Sequence, residues 1–317
     1  MMLEVLRNPG REVLNEVAVE APENPFWTPG YLGAQRRLGG EVLLLACEGV
    51  HCPAMLHTGR LSRSLEIASL PAIAPEHPFW RALLAWRLEQ GIARVELNTF
   101  ASPALSLPAL PGPWTRRARR EFVLDLEKPD LHAGLSTNHA RNIKRGRKSG
   151  IVVEPFQTAA ACRAHVGLMQ ASLERRRQRG ETVPDDHEET LRQTLALVES
   201  GVGTVFQARD DESVCSSILV LRAARGGYYQ SAGSSPDGMS RGASHLLVLE
   251  IAARLRAEGA VRFNLGGVSE PGSGLEQFKS GFGTRPVELE AMEAEWTSPW
   301  RSMLRAGAAR IRELVAR

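Results

Sequence analysis

The chain is poor in cysteine and tyrosine and has no long apolar run. Four cysteines (Cys47, Cys52, Cys162, Cys215) are scattered over 317 residues, too few and too irregular for a disulfide framework. Cys47 and Cys52 flank His51, but no second Cys/His pair follows at zinc spacing, so reduced thiols and no metal are expected. No stretch of about 18 apolar residues occurs, so no transmembrane helix is expected. The opening "MMLEVLRNPGREVLNEV" mixes charged and apolar residues without an apolar centre, unlike a secretory signal. The expectation is a cytoplasmic protein.

A hydrophobic content of 43% and a charged content of 24% are those of a globular chain. At 317 residues, two domains of about 150 residues are the default. The net charge of +3 hides an uneven distribution. "TRRARR" (115–120), "RNIKRGRKSG" (141–150) and "ERRRQRG" (174–180) are basic, whereas "VELEAMEAEW" (287–296) has four glutamates and no cation. The basic middle third either meets an anionic partner or forms a solvated face. No aromatic residues interleave with these runs, so a base-stacking surface is not indicated.

Periodicity and punctuation give an element order. A Pro-punctuated loop leads to a helix near 29–37, and two strands flank a turn at Glu48–Gly49. A helix over 78–90, stopped by Gly91, precedes a strand at 92–99. Residues 104–120, with three prolines, read as a connection before the strand 121–126. Ser136 or Thr137 can cap a helix that Gly150 ends. A strand at 151–156, helices near 158–177 and 186–199, three strands with turns at Asp210–Asp211 and Gly226–Gly227, an amphipathic helix from 243 and the strand "VRFNLGG" follow. Interleaved helices and strands indicate an α/β chain with α+β mixed sheets, and the repeated order suggests two related halves.

Chemistry concentrates between 228 and 283. "YYQSAGSS" runs through a loop to "SRGAS" at a helix start, so Arg241 and Gly242 offer a cation and backbone N–H groups to a phosphate; ordinary loop geometry explains the same pattern. Gly266 and Gly267 end the next strand, where absent side chains allow close approach of ligand or backbone. "GLEQFKSGFG" then places Lys279 between Phe278 and Phe282, where aromatic neighbours can desolvate an ammonium aimed at a developing oxyanion; a surface lysine in a turn is the plainer reading. His245 is a candidate general base, or a packed histidine.

These blocks, in this order over 122–289, resemble the Fem-type peptidoglycan aminoacyltransferases and the wider GNAT-like acyltransferases. The specific match is "FNLGGVSEPGSGLEQFKSGFG", similar to the family's strand ending in two glycines and its Phe-Lys element. The resemblance implies two tandem GNAT-like acyltransferase domains, 1–120 and a catalytic 121–296; the tail, 297–317, reads as a last helix packing back on the body. It implies Lys279 as the catalytic lysine stabilising the tetrahedral intermediate. It implies substrate contacts from Arg175 to phosphates, from Tyr229 in the groove, and from Gly266, Gly267 and Phe278. The implied donor is aminoacyl-tRNA and the implied acceptor the amine of a peptidoglycan precursor, UDP- or lipid-linked, with peripheral membrane contact and no cofactor. Departures from the family pattern are Ser231, in place of a second strand tyrosine, and "SRGAS", which is similar to the coenzyme A loop of ordinary GNAT enzymes. They keep a second expectation open, an acyl-CoA-dependent N-acyltransferase with Arg241 and Gly242 at the donor. A third is a nucleic-acid or membrane-surface protein acting through its basic middle.

Overall fold

A computed structural model describes residues 2–60, 62–103, 105–178, 180, 186–211, 213–268 and 272–296. The first half contains β1 (Glu4–Arg7), α1 (Arg11–Val19), α2 (Pro29–Arg37), β2 (Glu41–Cys47), β3 (Val50–Thr58), β4 (Arg63–Ile67), α3 (Phe79–Glu89) and β5 (Ile92–Leu97). The second contains β6 (Trp114–Asp125), α4 (Thr137–Lys148), β7 (Val152–Phe156), α5 (Ala159–Gln178), α6 (His187–Glu199), β8 (Gly203–Arg209), β9 (Val214–Arg222), β10 (Gly226–Ser234), α7 (Pro236–Ser240), α8 (Ala243–Ala257), β11 (Arg262–Gly267), α9 (Gly274–Ser280) and β12 (Arg285–Glu295). All twelve strands among the described residues join one sheet, ordered β1-β2-β3-β4-β5-β12-β6-β11-β10-β9-β8-β7.

Each half repeats one scheme. An antiparallel meander (β2-β3-β4, then β8-β9-β10) is followed by a crossover helix (α3, then α8) and a parallel strand (β5 beside β4, β11 beside β10). The two schemes meet through β12, which pairs antiparallel with both β5 and β6. The boundary expected at 120/121 falls inside β6, and the helix expected at 297–317 lies outside the described residues.

Local chemistry explains most element ends. Glu48 (φ 44°) and Gly49 (φ 80°) form the two-residue hairpin turn with both φ values positive. The Thr28 hydroxyl accepts from the Tyr31 N–H at 3.2 Å with Pro29 next, and the Ser136 hydroxyl accepts from the His139 N–H at 3.2 Å. The turn expected at Gly226–Gly227 falls at residues 223–225, and the two glycines open β10.

Three segments differ from the sequence reading. The run 114–120 is strand, not connection, because it has an acidic partner. In the β6–β12 pair, Arg116 meets Glu290 at 3.1 Å, Arg117 meets Glu293 at 3.5 Å and Arg120 meets Glu288 at 2.6 Å. Each such exposed pair contributes only a few tenths of a kcal/mol, yet together they neutralise "TRRARR" within the sheet. The partner strand β12 is not among the elements expected from the sequence, although Val287, Leu289 and Ala291 alternate inward with Glu288 and Glu290 outward. Residues 274–280 form a helix rather than a turn.

One apolar core lies within each half: Leu43, Ile67, Phe79 and Trp86 in the first, Phe122, Leu246, Phe263 and Phe282 in the second. A third joins them, with Tyr31, Leu32 and Ala68 packed against Leu197, Leu219 and Tyr228. The candidate site opens beside this shared core.

Candidate active site

β10 and β11 are paired only from Gly226–Arg262 to Tyr228–Asn264, although both strands continue. A bulge between Tyr229 and Ser231 bends β10, and another between Asn264 and Gly267 bends β11. At the second bulge the Asn264 carboxamide oxygen accepts from the Gly266 N–H at 2.8 Å, and Gly266 adopts φ 72°, which a side chain would strain. The opened strand pair faces a cavity of about 560 Å³ between the halves. Tyr229, Gly266, Gly267, Leu275 and Lys279 come from one side, and Phe26, Tyr31, Glu66 and Phe100 from the other.

α9 carries Lys279 to this cavity. Ser273 caps the helix, accepting from the Glu276 N–H at 3.3 Å, and Glu276 reaches back to the Gly272 N–H at 2.5 Å, a capping-box arrangement. Leu275 and Lys279, four residues apart, share the cavity face. Lys279 is only 4% exposed, donates to the Gly267 carbonyl at 2.5 Å, and lies 5.6 Å from the Tyr229 ring centre. Burial pulls its pKa from 10.5 down to about 8, opposed by the nearby charge of Glu121. A Cβ on Gly266 would stand 3.6 Å from the Lys279 Nζ, so the glycine keeps the approach to the ammonium open.

Lys279, Tyr229, Gly266 and Gly267 are thus together. The other sequence candidates lie elsewhere. Phe278, one position and about 100° around the helix, faces away with Phe282 toward His139 and His245. The aromatic ring beside the ammonium is therefore Tyr229, not the flanking phenylalanines. His245 lines a separate cavity of about 610 Å³ with His139 and Phe278, where burial holds its pKa down to about 4. Arg175 donates to the Ser172 hydroxyl at 2.9 Å and the Ser234 carbonyl at 2.6 Å, holding the end of α5 against β10. Arg241 is held by Asp210 at 2.5 Å, Asp237 at 3.0 Å and the Ser149 carbonyl at 3.0 Å. Its guanidinium occupies the one group of potential metal ligands among the described residues, Asp210, Cys215 and Asp237. Gly242, at the start of α8 with φ 77°, lies so close to the Asn142 carbonyl of α4 that no Cβ would fit. The loop that looked open to a phosphate is packed against α4.

Sequence reasoning missed Glu121. Its carboxylate, 1% exposed, accepts from the Tyr228 hydroxyl at 2.9 Å, the Asn264 amide at 2.7 Å, the Ala101 N–H at 3.0 Å and Arg119 at 3.0 Å. One buried acid thereby ties β6, β10 and β11 to a loop of the first half. Nothing in "EFVLDL" singles it out, because three of its four donors, Tyr228, Asn264 and Ala101, come from distant segments.

A family model described as an acetyltransferase (GNAT) domain matches residues 135–280, the span from the α4 cap to the end of α9. A crystal structure of FemX superposes with a TM-score of 0.68 at 12% identity, covering 95% of this chain and 99% of that one. The chain is an acyltransferase with a Fem-like fold. A tandem GNAT protein from the clavulanic acid biosynthesis pathway is similar to this acyltransferase at TM-score 0.54 and 13% identity, over 93% and 99% of the two chains. The C-terminal domain of a putative lysylphosphatidylglycerol synthetase from Agrobacterium fabrum is similar at TM-score 0.52 and 13% identity, over 95% and 97%. No curated protein matches the acyltransferase. Among its described residues, no helix is long and apolar enough to cross a membrane.

Proposed function

We propose that this acyltransferase moves an aminoacyl group from aminoacyl-tRNA to the amine of a peptidoglycan precursor, with Lys279 at the reacting carbonyl. The observation that carries the reading is a buried ammonium, Lys279, facing a cavity between two halves of Fem-like fold. A primary amine attacks the ester carbonyl, and negative charge develops on the carbonyl oxygen. A preorganised cation there contributes about 3 kcal/mol, or roughly a hundredfold in rate. With a pKa near 8, Lys279 carries its charge at neutral pH and loses it in mild alkali. Gly266 leaves room for the substrate carbonyl, and the Tyr229 ring shields the ammonium on one side.

The basic face of α4 fits an anionic donor. Arg141, Lys144 and Lys148 are exposed and meet no carboxylate among the described residues. These cations suit the phosphates of a tRNA or of a diphosphate-linked precursor. A lysylphosphatidylglycerol synthetase domain among the similar structures is consistent with aminoacyl donors and envelope acceptors, and a lipid-linked acceptor would bring the protein to a membrane surface. Donor and acceptor enter as substrates, and the chemistry needs no bound cofactor.

An acyl-CoA donor is the second reading, favoured by the GNAT acetyltransferase model and by the unpaired stretch of β10 and β11 beside Lys279, which admits a linear acyl chain. Arg241 and Gly242 do not serve it, since both are committed to packing.

The test is transfer of label to UDP-linked muropeptide from a pool of tRNA charged with labelled amino acids, beside the same acceptor with labelled acetyl-CoA. Label from tRNA that disappears in Lys279→Ala supports the first reading. Label from acetyl-CoA alone supports the second. Label from tRNA that survives in Lys279→Ala removes the lysine from its role.

A further inference from the structure

The cavity in front of Lys279 has a second charged wall. Among its described lining residues only two carry charge, Lys279 from α9 and Glu66 from β4; Gln35, Gln193, Gln230 and three tyrosines supply the neutral polar groups. Strand alternation puts Glu66 there. Leu65 and Ile67 point into the core of the first half, so Glu66 faces the opposite side, as do Ala68 and Met55, the register partner of Glu66, both in the core shared by the halves. Its nearest basic group is His57 of β3, with Nε2 at 3.5 Å from the carboxylate. No lysine or arginine pairs with it among the described residues. The other titratable groups around it are Tyr31 of α2, whose hydroxyl feels the Glu66 charge, and Glu96 of β5, opposite in register and held by Arg94 at 2.8 Å.

The charges match a bound state. When an amine adds to an ester carbonyl, the nitrogen becomes positive and the oxygen negative before any proton moves. The cavity offers a cation for the oxygen and a carboxylate for the nitrogen, from opposite halves of the molecule. Given the acyl-transfer reading above, on which this rests, we infer that Glu66 receives the acceptor amine and takes its proton. The nitrogen lone pair forms the C–N bond, and the carbonyl π pair moves to the oxygen facing Lys279. The N–H proton passes to the Glu66 carboxylate and through His57, whose ring is 41% exposed, to water. The oxygen pair then re-forms the carbonyl, the C–O bond to the leaving group breaks, and the leaving oxygen takes a proton from solvent. From a neutral amine, one proton is given up by nitrogen and one gained by oxygen; an acceptor that arrives protonated first yields one further proton through Glu66 and His57 to water, so the balance closes with one proton released. Lys279 is confined to the oxyanion and Glu66 to the nucleophile, and so their variants separate in kinetics.

The experiment uses Glu66→Gln, which keeps shape and removes charge, and two surrogate acceptors at pH 7.5: n-butylamine, protonated at that pH, and hydroxylamine, neutral at that pH. The donor is whichever of the labelled tRNA pool or acetyl-CoA the wild type accepts, with the uncatalysed rate subtracted. Glu66→Gln is expected to lower kcat/KM for butylamine at least tenfold, with KM raised, while changing hydroxylamine transfer less than threefold. Lys279→Ala is expected to lower both alike. Equal losses for the two acceptors in Glu66→Gln, or no loss with butylamine, overturn the assignment. A wild type that transfers to neither amine from either donor overturns the acyl-transfer reading itself, a failure visible before any Glu66 variant is compared.

Discussion

Replacing Lys279 with methionine should slow transfer roughly a hundredfold and make the protein more stable at neutral pH. An ammonium whose pKa is pulled from 10.5 to about 8 by burial carries a cost on the order of 3 kcal/mol while charged. Methionine has a similar length and no charge to desolvate. It also cannot donate to the Gly267 carbonyl, and an unpaired buried acceptor costs about 1–2 kcal/mol. The expected net gain is therefore about 1–2 kcal/mol at pH 7, or a few degrees in Tm for a chain of this size. The pH dependence gives a second, independent sign. Between about pH 8 and 10.5 the folded wild type has shed the Lys279 proton while the unfolded chain still binds it, so wild-type stability rises with pH relative to the variant. Thermal or urea unfolding followed by circular dichroism at pH 7 and pH 10 measures both effects. The variant should lead at pH 7, and its lead should shrink or vanish at pH 10. A variant less stable than wild type at pH 7, or a gap unchanged between the two pH values, refutes the claim that this lysine is held charged at a cost.

Gly266→Ala should cut transfer more than tenfold, because the new Cβ would sit 3.6 Å from the ammonium, and should lower stability by about 1–2 kcal/mol through its φ of 72°; unaltered kcat/KM would show that the carbonyl does not pass there. Glu121→Leu leaves the Tyr228 hydroxyl, the Asn264 amide, the Ala101 N–H and Arg119 without their acceptor. A loss of about 3–5 kcal/mol is expected in denaturant midpoints, and a loss below about 1 would deny its bridging role. His165 is fully buried between the hydroxyls of Ser217 and Ser231, with its pKa pushed down to about 4 from the usual 6.5. Its contribution is present above pH 6.5 and is lost as pH falls toward 4, about 3 kcal/mol in all. His165→Asn should flatten that part of the stability profile, and an unchanged slope would refute the assignment.

Much of the secondary structure was legible for local reasons. The cap at Ser136, the stops at Gly91 and Gly150, and the Glu48–Gly49 turn act through neighbouring atoms, so residue types alone disclose them. The strand over 114–120 was not legible. Four arginines after a run of three prolines look like loop until β12 supplies glutamates across from them. Lys279 and Gly266 could be picked out because both stand in one motif, but Phe278, in the same motif, points the other way, since neighbours on a helix diverge by about 100°. Glu66 and Glu121 carried no local signal, because each takes its meaning from groups on other elements.

The sequence alone determined an α/β chain with two similar halves, a lysine flanked by phenylalanines shortly after a pair of glycines, and a resemblance to acyl-transferring proteins. Those properties follow from short-range order: periodicity, turn chemistry and motif spacing. Only the tertiary structure decided which charges are answered and which remain to act. It set "TRRARR" against β12, closed Arg241 with Asp210 and Asp237, and left Lys279 and Glu66 facing one cavity from opposite halves. The physical reason is that desolvation and pairing depend on distances between segments far apart in the chain, and folding alone sets those distances.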